Sequence, residues 1–232
     1  MKAEFFTGNR NRLYSDLKPG SLLLMYAGEE IRKTSDEYYP FFAERNFVYL
    51  TGLTCKQAVL PAMKDAEGTV SERLYILPPD AFEERWTGVR VKPQEAEMVS
   101  GVSDIKYVDS LEEDFHRLAV SGNYGALYLD LYRCSPEDID RPSHRMLRVI
   151  QEQYPYLQIE NANILVRKLR TIKQPCEIEA LREAEKITKS GILAMMQNSK
   201  PGMYEYQYKA EFDRALGQYG PQCTGFPPII SA

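Results

Sequence analysis

Histidine, cysteine and tryptophan are all scarce in this chain of 232 residues, which contains two, four and one of them respectively. The four cysteines lie far apart and form no CxxC pair, so free thiols in a reducing compartment are favoured over disulfides. The two histidines, His116 and His144, lie on predicted helices in charged surroundings. We interpret both as solvated side chains rather than as metal ligands or general bases. The cysteine pattern predicts a cytoplasmic protein.

Long apolar runs and an excess of charge of one sign are also missing. No run approaches the roughly 20 residues that span a bilayer. The first residues, Met1-Lys2-Ala3-Glu4, lack the apolar core of a signal peptide. The net charge is −4 and the basic residues are scattered, which gives no electrostatic reason to expect nucleic acid as a partner. The sequence therefore predicts a globular protein that binds neither membrane nor nucleic acid.

The common signatures of catalytic and nucleotide sites do not occur. There is no GxGxxG, P-loop, GxSxG or HExxH pattern. Acidic pairs such as Glu29-Glu30 and Glu112-Glu113 are interpreted as solvated faces rather than as a carboxylate cage for a metal. We expect no manganese or zinc site within these 232 residues, and spacing alone assigns no reaction.

Strand and helix signals alternate over the first 160 residues. This alternation predicts an α/β domain with a mixed or largely parallel sheet covered by helices. The strand predicted at 47–51 rests on the β-forming residues of the segment FVYLT. Helices are predicted at 4–17, 93–99, 111–120 and 142–154, and strands at 21–27, 47–51, 58–63, 73–77, 105–108 and 125–131.

A hinge follows at residues 164–179, where a short basic helix runs into Gln174-Pro175. Proline suits the first position of a new helix, and Glu177 suits its positive end. Helices are predicted at 175–198 and 203–218, and a strand at 226–231. Because about 70 residues bury too little surface for a stable core, we expect a second domain, 161–232, that is incomplete or packs on something else. The first domain is predicted to be 1–160.

The single tryptophan, Trp86, lies in a loop between Arg85 and Arg90. Tryptophan and arginine are enriched where a loop closes a pocket or anchors an interface. The alternative is that Trp86 folds back on its own domain. The sequence leaves both readings open.

Five ordered segments resemble the Xaa-Pro aminopeptidase and prolidase family, and aminopeptidase P most closely. Each segment alone is weak evidence for the family, but together the five segments occur in the order of the family and cover nearly the whole chain. They are YPFF at 39–42 with FVYLTG at 47–52, WTGVR at 86–90, RTIK at 170–173 with EI at 177–178, KPGM at 200–203 with Glu205, and FPPIIS at 226–231.

The resemblance implies a mixed-sheet, creatinase-type N-terminal α/β domain followed by the truncated beginning of an α+β pita-bread domain. It implies removal of the N-terminal residue from Xaa-Pro peptides, so proline-containing peptides are the expected partners. It also implies a homo-oligomer, a dimer or tetramer, and two divalent metal ions, typically Mn²⁺, in the full-length enzyme. The metal ligands of the family lie beyond the segment that matches residues 226–231, so no metal or catalytic residue is carried over. Trp86 and Arg90 are the candidates for substrate binding or subunit contact.

Two alternatives stay open on the same fold. Family members without metal ligands serve as peptide- or protein-binding modules, and a creatinase-type hydrolase uses no metal. The residues that follow the matched segment at 226–231 would separate these readings from a peptidase.

Overall fold

The computed structural model describes residues 1–221 and 223–231, and its internal contacts divide the chain into two compact units, Met1–Ile172 and Lys173–Ala232. The division falls later than the boundary near residue 160 that the sequence predicts. The reason is packing, because Ala162 and Val166 of the helix at 162–171 are fully buried in the core of the first unit.

The first unit consists of residues 1–172, all of which the structure describes, and it holds seven α-helices, nine strands and one 3₁₀ turn at Val108–Ser110. The helices are α1 Ala3–Asp16, α2 Arg45–Thr51, α3 Glu84–Thr87, α4 Pro93–Ser100, α5 Leu111–Ala119, α6 Pro142–Gln153 and α7 Ala162–Thr171. The strands are β1 Ser21–Tyr26, β2 Arg32–Thr34, β3 Glu37–Tyr38, β4 Val59–Lys64, β5 Val70–Glu72, β6 Leu74–Ile76, β7 Ile105–Tyr107, β8 Ala126–Leu129 and β9 Gln158–Asn161.

Seven strands form one mixed sheet in the order β7-β6-β4-β1-β8-β9, with β5 also paired to β4. Strand β1 is antiparallel to β4 and parallel to β8, while β8 and β9, and β6 and β7, are parallel. Strands β2 and β3 form a separate hairpin. The predicted mixed α/β sheet is confirmed.

Strand β1 lies inside the sheet and divides two hydrophobic cores. Successive side chains of a strand point to opposite faces. Leu23 and Met25 therefore pack in the core that includes α1, α2 and α7, whereas Leu22 and Leu24 pack in the core that includes α5 and α6. A strand buried on both faces reads as a continuous apolar run, which is why this element is visible in the sequence.

The strand predicted at 47–51 is wrong, because these residues belong to α2. Their β-forming side chains fit a short helix, in which Phe47 and Leu50 fall on one face and are fully buried. Gly52 ends the helix in the left-handed conformation, at φ 73°, and its N–H donates to the carbonyl of Val48 at 2.8 Å. Tertiary packing has here overridden local β-propensity.

Two strands of the sheet are absent from the sequence prediction. Strand β5 follows the turn at 65–69 and pairs with β4, while β6, within the predicted strand at 73–77, pairs with the other end of β4 through Val59 and Tyr75. Strand β9 was not predicted, because its polar sequence carries neither alternation nor an apolar run.

The second unit is a helical hairpin of α8, Pro175–Asn198, and α9, Glu205–Gly217. Both agree with the predicted helices, and α8 starts in a capping box between Gln174 and Glu177. Gly191 lets the helices approach, since a Cβ there would lie 2.5 Å from side-chain atoms of Phe212 and Leu216. The strand predicted at 226–231 does not occur, because those described residues have no partner strand within the part of the chain that the structure describes.

Candidate functional site

The loop at 78–92, here called the Trp86 loop, leaves the sheet after β6 and enters α4. Asp80 starts its single helical turn, α3, because its Oδ1 accepts the backbone N–H groups of Phe82 and Glu83 at 2.9 and 3.0 Å. Those two hydrogen bonds hold the pKa of Asp80 below its usual range. The backbone N–H of Glu84 donates to the carbonyl of Asp80 at 2.9 Å and continues the turn.

Three large apolar side chains of this loop face solvent. Trp86 is 82% exposed, Val89 76% and Phe82 73%. Single exposed apolar residues are ordinary on a protein surface, but a cluster in one short loop is typical of a contact site. The sequence singled out Trp86 and gave no signal for Phe82.

Arg90, the second site residue proposed from the sequence, is turned back onto its own loop. Its Nη1 donates to the carbonyl of Pro78 at 2.5 Å, and its Nη2 forms an ion pair with Glu83. The side chain is 15% exposed, in contrast to Trp86. The structure therefore places Trp86 and Arg90 in one loop, with Trp86 directed outward and Arg90 engaged within it.

A cavity of about 210 Å³ lies beside the end of the loop and is lined by Cys55, Leu77 and residues 87–91. Burial raises the pKa of the Cys55 thiol to about 11. A thiol of that acidity is protonated at neutral pH and is a poor nucleophile. Cys55 is therefore an apolar wall of this cavity.

A larger cavity, about 620 Å³, is lined by residues 39–42 and by the segment 137–142. Arg141 donates to Glu44 at 2.6 Å on its wall. Burial raises the pKa of Glu44, and the charge of Arg141 opposes that rise. The sequence shows the aromatic segment but gives no signal for this partly exposed pair, since its members lie 97 positions apart.

Both members of the acidic pair Glu29-Glu30 are engaged in ion pairs. Glu29 contacts Arg145 at 2.7 Å and Glu30 contacts Lys56 at 2.5 Å. Among residues 1–221 and 223–231 no group of three or more His, Cys, Asp or Glu side chains is placed to hold a metal ion.

The two histidines differ in environment. His116 is exposed, as predicted, with its Nδ1 2.9 Å from the hydroxyl of Tyr154. The prediction of a solvated His144 is wrong, since this side chain is 5% exposed. It sits at the start of α6, where its Nδ1 accepts the backbone N–H of Arg141 at 3.2 Å. Burial, assisted by the charges of Arg133 and Arg141, lowers the pKa of His144.

The sequence profile described as "Aminopeptidase P, N-terminal domain" matches residues 6–128, which is more than half of the chain. The chain belongs to the aminopeptidase P N-terminal domain family. The match includes the sheet as far as β8 and the whole Trp86 loop.

Curated relatives are named for the same enzyme. Xaa-Pro aminopeptidase of Haemophilus influenzae is 25% identical over 98% of this chain and 50% of its own length. The Xaa-Pro aminopeptidase of Escherichia coli is also 25% identical, over 98% of this chain and 52% of its own length. The chain thus spans about half the length of the curated relatives it matches.

Solved aminopeptidase P structures share the fold. A Bacillus anthracis structure, described as a candidate aminopeptidase P, has a TM-score of 0.91 and 33% identity, covering 95% of this chain and 52% of its own. Aminopeptidase P from Escherichia coli with the inhibitor Pro-Leu has a TM-score of 0.79 and 25% identity, over 95% and 50%. No helix within the described part of the chain has the length and apolarity needed to span a membrane.

Proposed function

We propose that this chain is the N-terminal portion of a proline-specific metallo-aminopeptidase, which removes the N-terminal residue from Xaa-Pro peptides. The observation that carries the proposal is the family match over residues 6–128. It is supported by the structural likeness to aminopeptidase P over 95% of the chain. The first unit would then be the creatinase-type domain, and the second unit the opening of the pita-bread domain.

The contribution of this chain to the reaction is assigned to the Trp86 loop. An indole exposed to 82% can cover the flat ring of a substrate proline or fill a pocket on a partner subunit. The neighbouring Phe82 and Val89 widen the apolar contact. Such a role fits a homo-oligomer, a dimer or tetramer, in which the loop of one subunit reaches the cleft of another.

The proposed enzyme requires metal, and we propose two divalent ions, Mn²⁺ in particular. Paired metals generate a hydroxide nucleophile and polarise the scissile carbonyl in such hydrolases. The described residues of this chain do not offer a fitting donor set, so the ions would bind outside them. A cytoplasmic location is proposed from the free cysteines, which are typical of a reducing compartment.

The test is an assay of the complete gene product on two matched tripeptides, Xaa-Pro-Yaa and Xaa-Ala-Yaa. We expect release of the N-terminal residue from the proline peptide with Mn²⁺, and loss of that activity with a chelator. Light scattering of the same sample should give a dimer or tetramer. Failure to cleave the proline peptide with any divalent metal would contradict the proposed activity, and equal cleavage of both peptides would contradict its specificity.

A further inference from the structure

We propose that Arg90 is a positioning residue, which holds the Trp86 loop in its outward-facing shape instead of contacting substrate or a partner subunit itself. The effect of Arg90 on catalysis rests on the proposed peptidase function. Its effect on the shape of the loop is independent of that function, since it concerns only contacts within residues 78–90.

The guanidinium of Arg90 connects the position of Arg90 in the loop with two others, Pro78 and Glu83. Its Nη1 reaches the carbonyl of Pro78, where the chain leaves the sheet, and its Nη2 reaches the carboxylate of Glu83, just before α3. Arg90 itself lies after α3. One side chain therefore closes the loop around the helical turn that carries Trp86.

The backbone of Arg90 adds a further tie. Its N–H lies 3.3 Å from Oε1 of Glu84, the first residue of α3. The start of the same turn is also fixed by Asp80, through the backbone of Phe82 and Glu83. The charged side chains at 80, 83, 84 and 90 thus form a frame of hydrogen bonds around Trp86. The side chain of Trp86 takes no part in these hydrogen bonds.

The frame matters because α3 cannot hold its own shape. A helix of four residues closes a single turn, and one turn does not repay the entropy of ordering its backbone. The turn ends at Gly88, whose φ of 90° is open to glycine but to few other residues. The direction of the Trp86 side chain therefore depends on the ties supplied by Arg90.

Arginine fits this role better than lysine. Its planar fork donates in two directions at once, and here the two acceptors are a backbone carbonyl and a carboxylate in different parts of the loop. A lysine ammonium would satisfy one of them well and the other poorly. The Nε of Arg90 is buried without an acceptor among the described residues, so it does not reach outward.

A direct substrate contact by Arg90 is disfavoured by the same geometry. Capture of a peptide carboxylate needs a free, accessible fork. Both terminal nitrogens of Arg90 are already bonded, and the side chain is 15% exposed. Freeing the fork would open the loop that presents Trp86, so one conformation cannot serve both roles.

The first experiment uses Trp86, the only tryptophan of this chain, as its own probe. Time-resolved fluorescence anisotropy separates nanosecond loop motion from overall tumbling. We expect Arg90→Met and Glu83→Gln each to increase the amplitude of the fast local motion. Arg73→Met is the matched control, because Arg73 is also partly buried, at 28% exposure, and pairs with Asp104 at 2.6 Å outside the loop. Unchanged anisotropy in both loop variants would overturn the proposal.

The second experiment is a double-mutant cycle in the complete gene product, with kcat/KM for an Xaa-Pro peptide as the readout. Misplacement of a binding group can cost about tenfold to a hundredfold in rate, and we expect Arg90→Met to lose an amount in that range. In a Trp86→Ala background the same change should cost less than about twofold, because the indole that Arg90 positions is gone. Arg90→Lys should recover part of the loss, and Arg73→Met should retain wild-type activity.

Equal losses from Arg90→Met with and without Trp86 would mean that Arg90 acts directly, and would overturn the proposal. Should the wild-type product not cleave Xaa-Pro peptides at all, the proposed function fails, while the anisotropy measurement still decides whether Arg90 positions the loop.

Discussion

Arg10 and Glu72 form a two-point ion pair, with Nε 2.8 Å from Oε2 and Nη2 2.9 Å from Oε1. Arg10 is completely buried. Its Nη1 also donates to the carbonyls of Leu50 and Ser100, at 2.8 Å each, and the hydroxyl of Tyr14 donates to Glu72 at 2.6 Å. A single charged side chain of α1 thereby ties together β5 and the last turns of α2 and α4.

Removing this guanidinium should be among the costliest changes to the fold. Arg10→Met leaves two carbonyls without the guanidinium and leaves the Glu72 carboxylate, to which the Tyr14 hydroxyl still donates, without its cation. Removing one partner of a buried pair costs about 3–5 kcal/mol. Urea denaturation measures the loss. The control is Arg117→Met, because Arg117 is 65% exposed where it pairs with Glu113, and an exposed pair contributes at most about 1 kcal/mol. Equal losses in the two variants would contradict this account.

Gly52→Ala should also destabilise the first unit. Gly52 has φ 73°, and a Cβ there would lie 2.4 Å from the ring of Phe6. The left-handed conformation costs about 1–2 kcal/mol for other residues, and overpacking adds about 1–3 kcal/mol. Gly8→Ala is the matched control, since Gly8 lies inside α1 with nothing within 4 Å. Gly8→Ala should stabilise the first unit by about 0.5–1 kcal/mol. Thermal denaturation of both variants shows whether each change raises or lowers the stability.

The burial of His144 predicts a pH dependence of stability. Its pKa is lowered in the folded state by burial first and by the charge of Arg133 second, whereas an unfolded histidine titrates near about 6.5. Below that pH the unfolded chain binds more protons than the folded one, so the free energy of unfolding decreases as the pH falls through about 6.5 toward the lower folded pKa.

Replacing His144 by glutamine isolates this contribution. Glutamine at the same helix position can still accept the N–H of Arg141, but it does not titrate. We expect the loss of stability between about pH 7 and pH 5 to be smaller in His144→Gln than in wild type. His116→Gln, at the exposed histidine, is the control. If His144→Gln keeps the wild-type pH dependence, His144 is not its source.

The elements that the sequence predicts correctly carry strong one-dimensional signals. Strand β1 is a bounded apolar run, and α8 begins at a proline with a glutamate in its first turn. The helix α2 was missed because its residues are β-forming. They pack in the core that includes α1 and α7, and these two helices are distant from α2 in sequence. The polar edge strand β9 was missed because its extended conformation depends on hydrogen bonds to β8, and its own sequence has no apolar pattern typical of a strand.

The candidate site was predicted in part. A lone tryptophan between arginines pointed to the Trp86 loop, but the direction of each side chain was not available from composition. Glu83 and Asp80, which shape the loop with Arg90, resemble any other surface acid in the sequence. Their roles depend on hydrogen-bond geometry, which only the folded chain reveals.

The exposure of Trp86 predicts that its removal will hardly affect folding. Trp86→Ala should change the free energy of unfolding by less than about 0.5 kcal/mol, as is usual for surface substitutions. Phe47→Ala, at a fully buried aromatic residue, should cost about 3–5 kcal/mol. Guanidinium denaturation of both variants tests this. A loss at Trp86 as large as that at Phe47 would mean that Trp86 packs in a core.

We propose that this chain presents Trp86 to the active site of an Xaa-Pro aminopeptidase. The decisive measurement is kcat/KM of the complete gene product for Xaa-Pro-Yaa and Xaa-Ala-Yaa peptides, in wild type and in Trp86→Ala. We expect a strong preference of the wild type for proline, and a loss of about tenfold to a hundredfold on the proline peptide in Trp86→Ala. Undiminished turnover of the proline peptide by folded Trp86→Ala, or a wild type indifferent to proline, would contradict it.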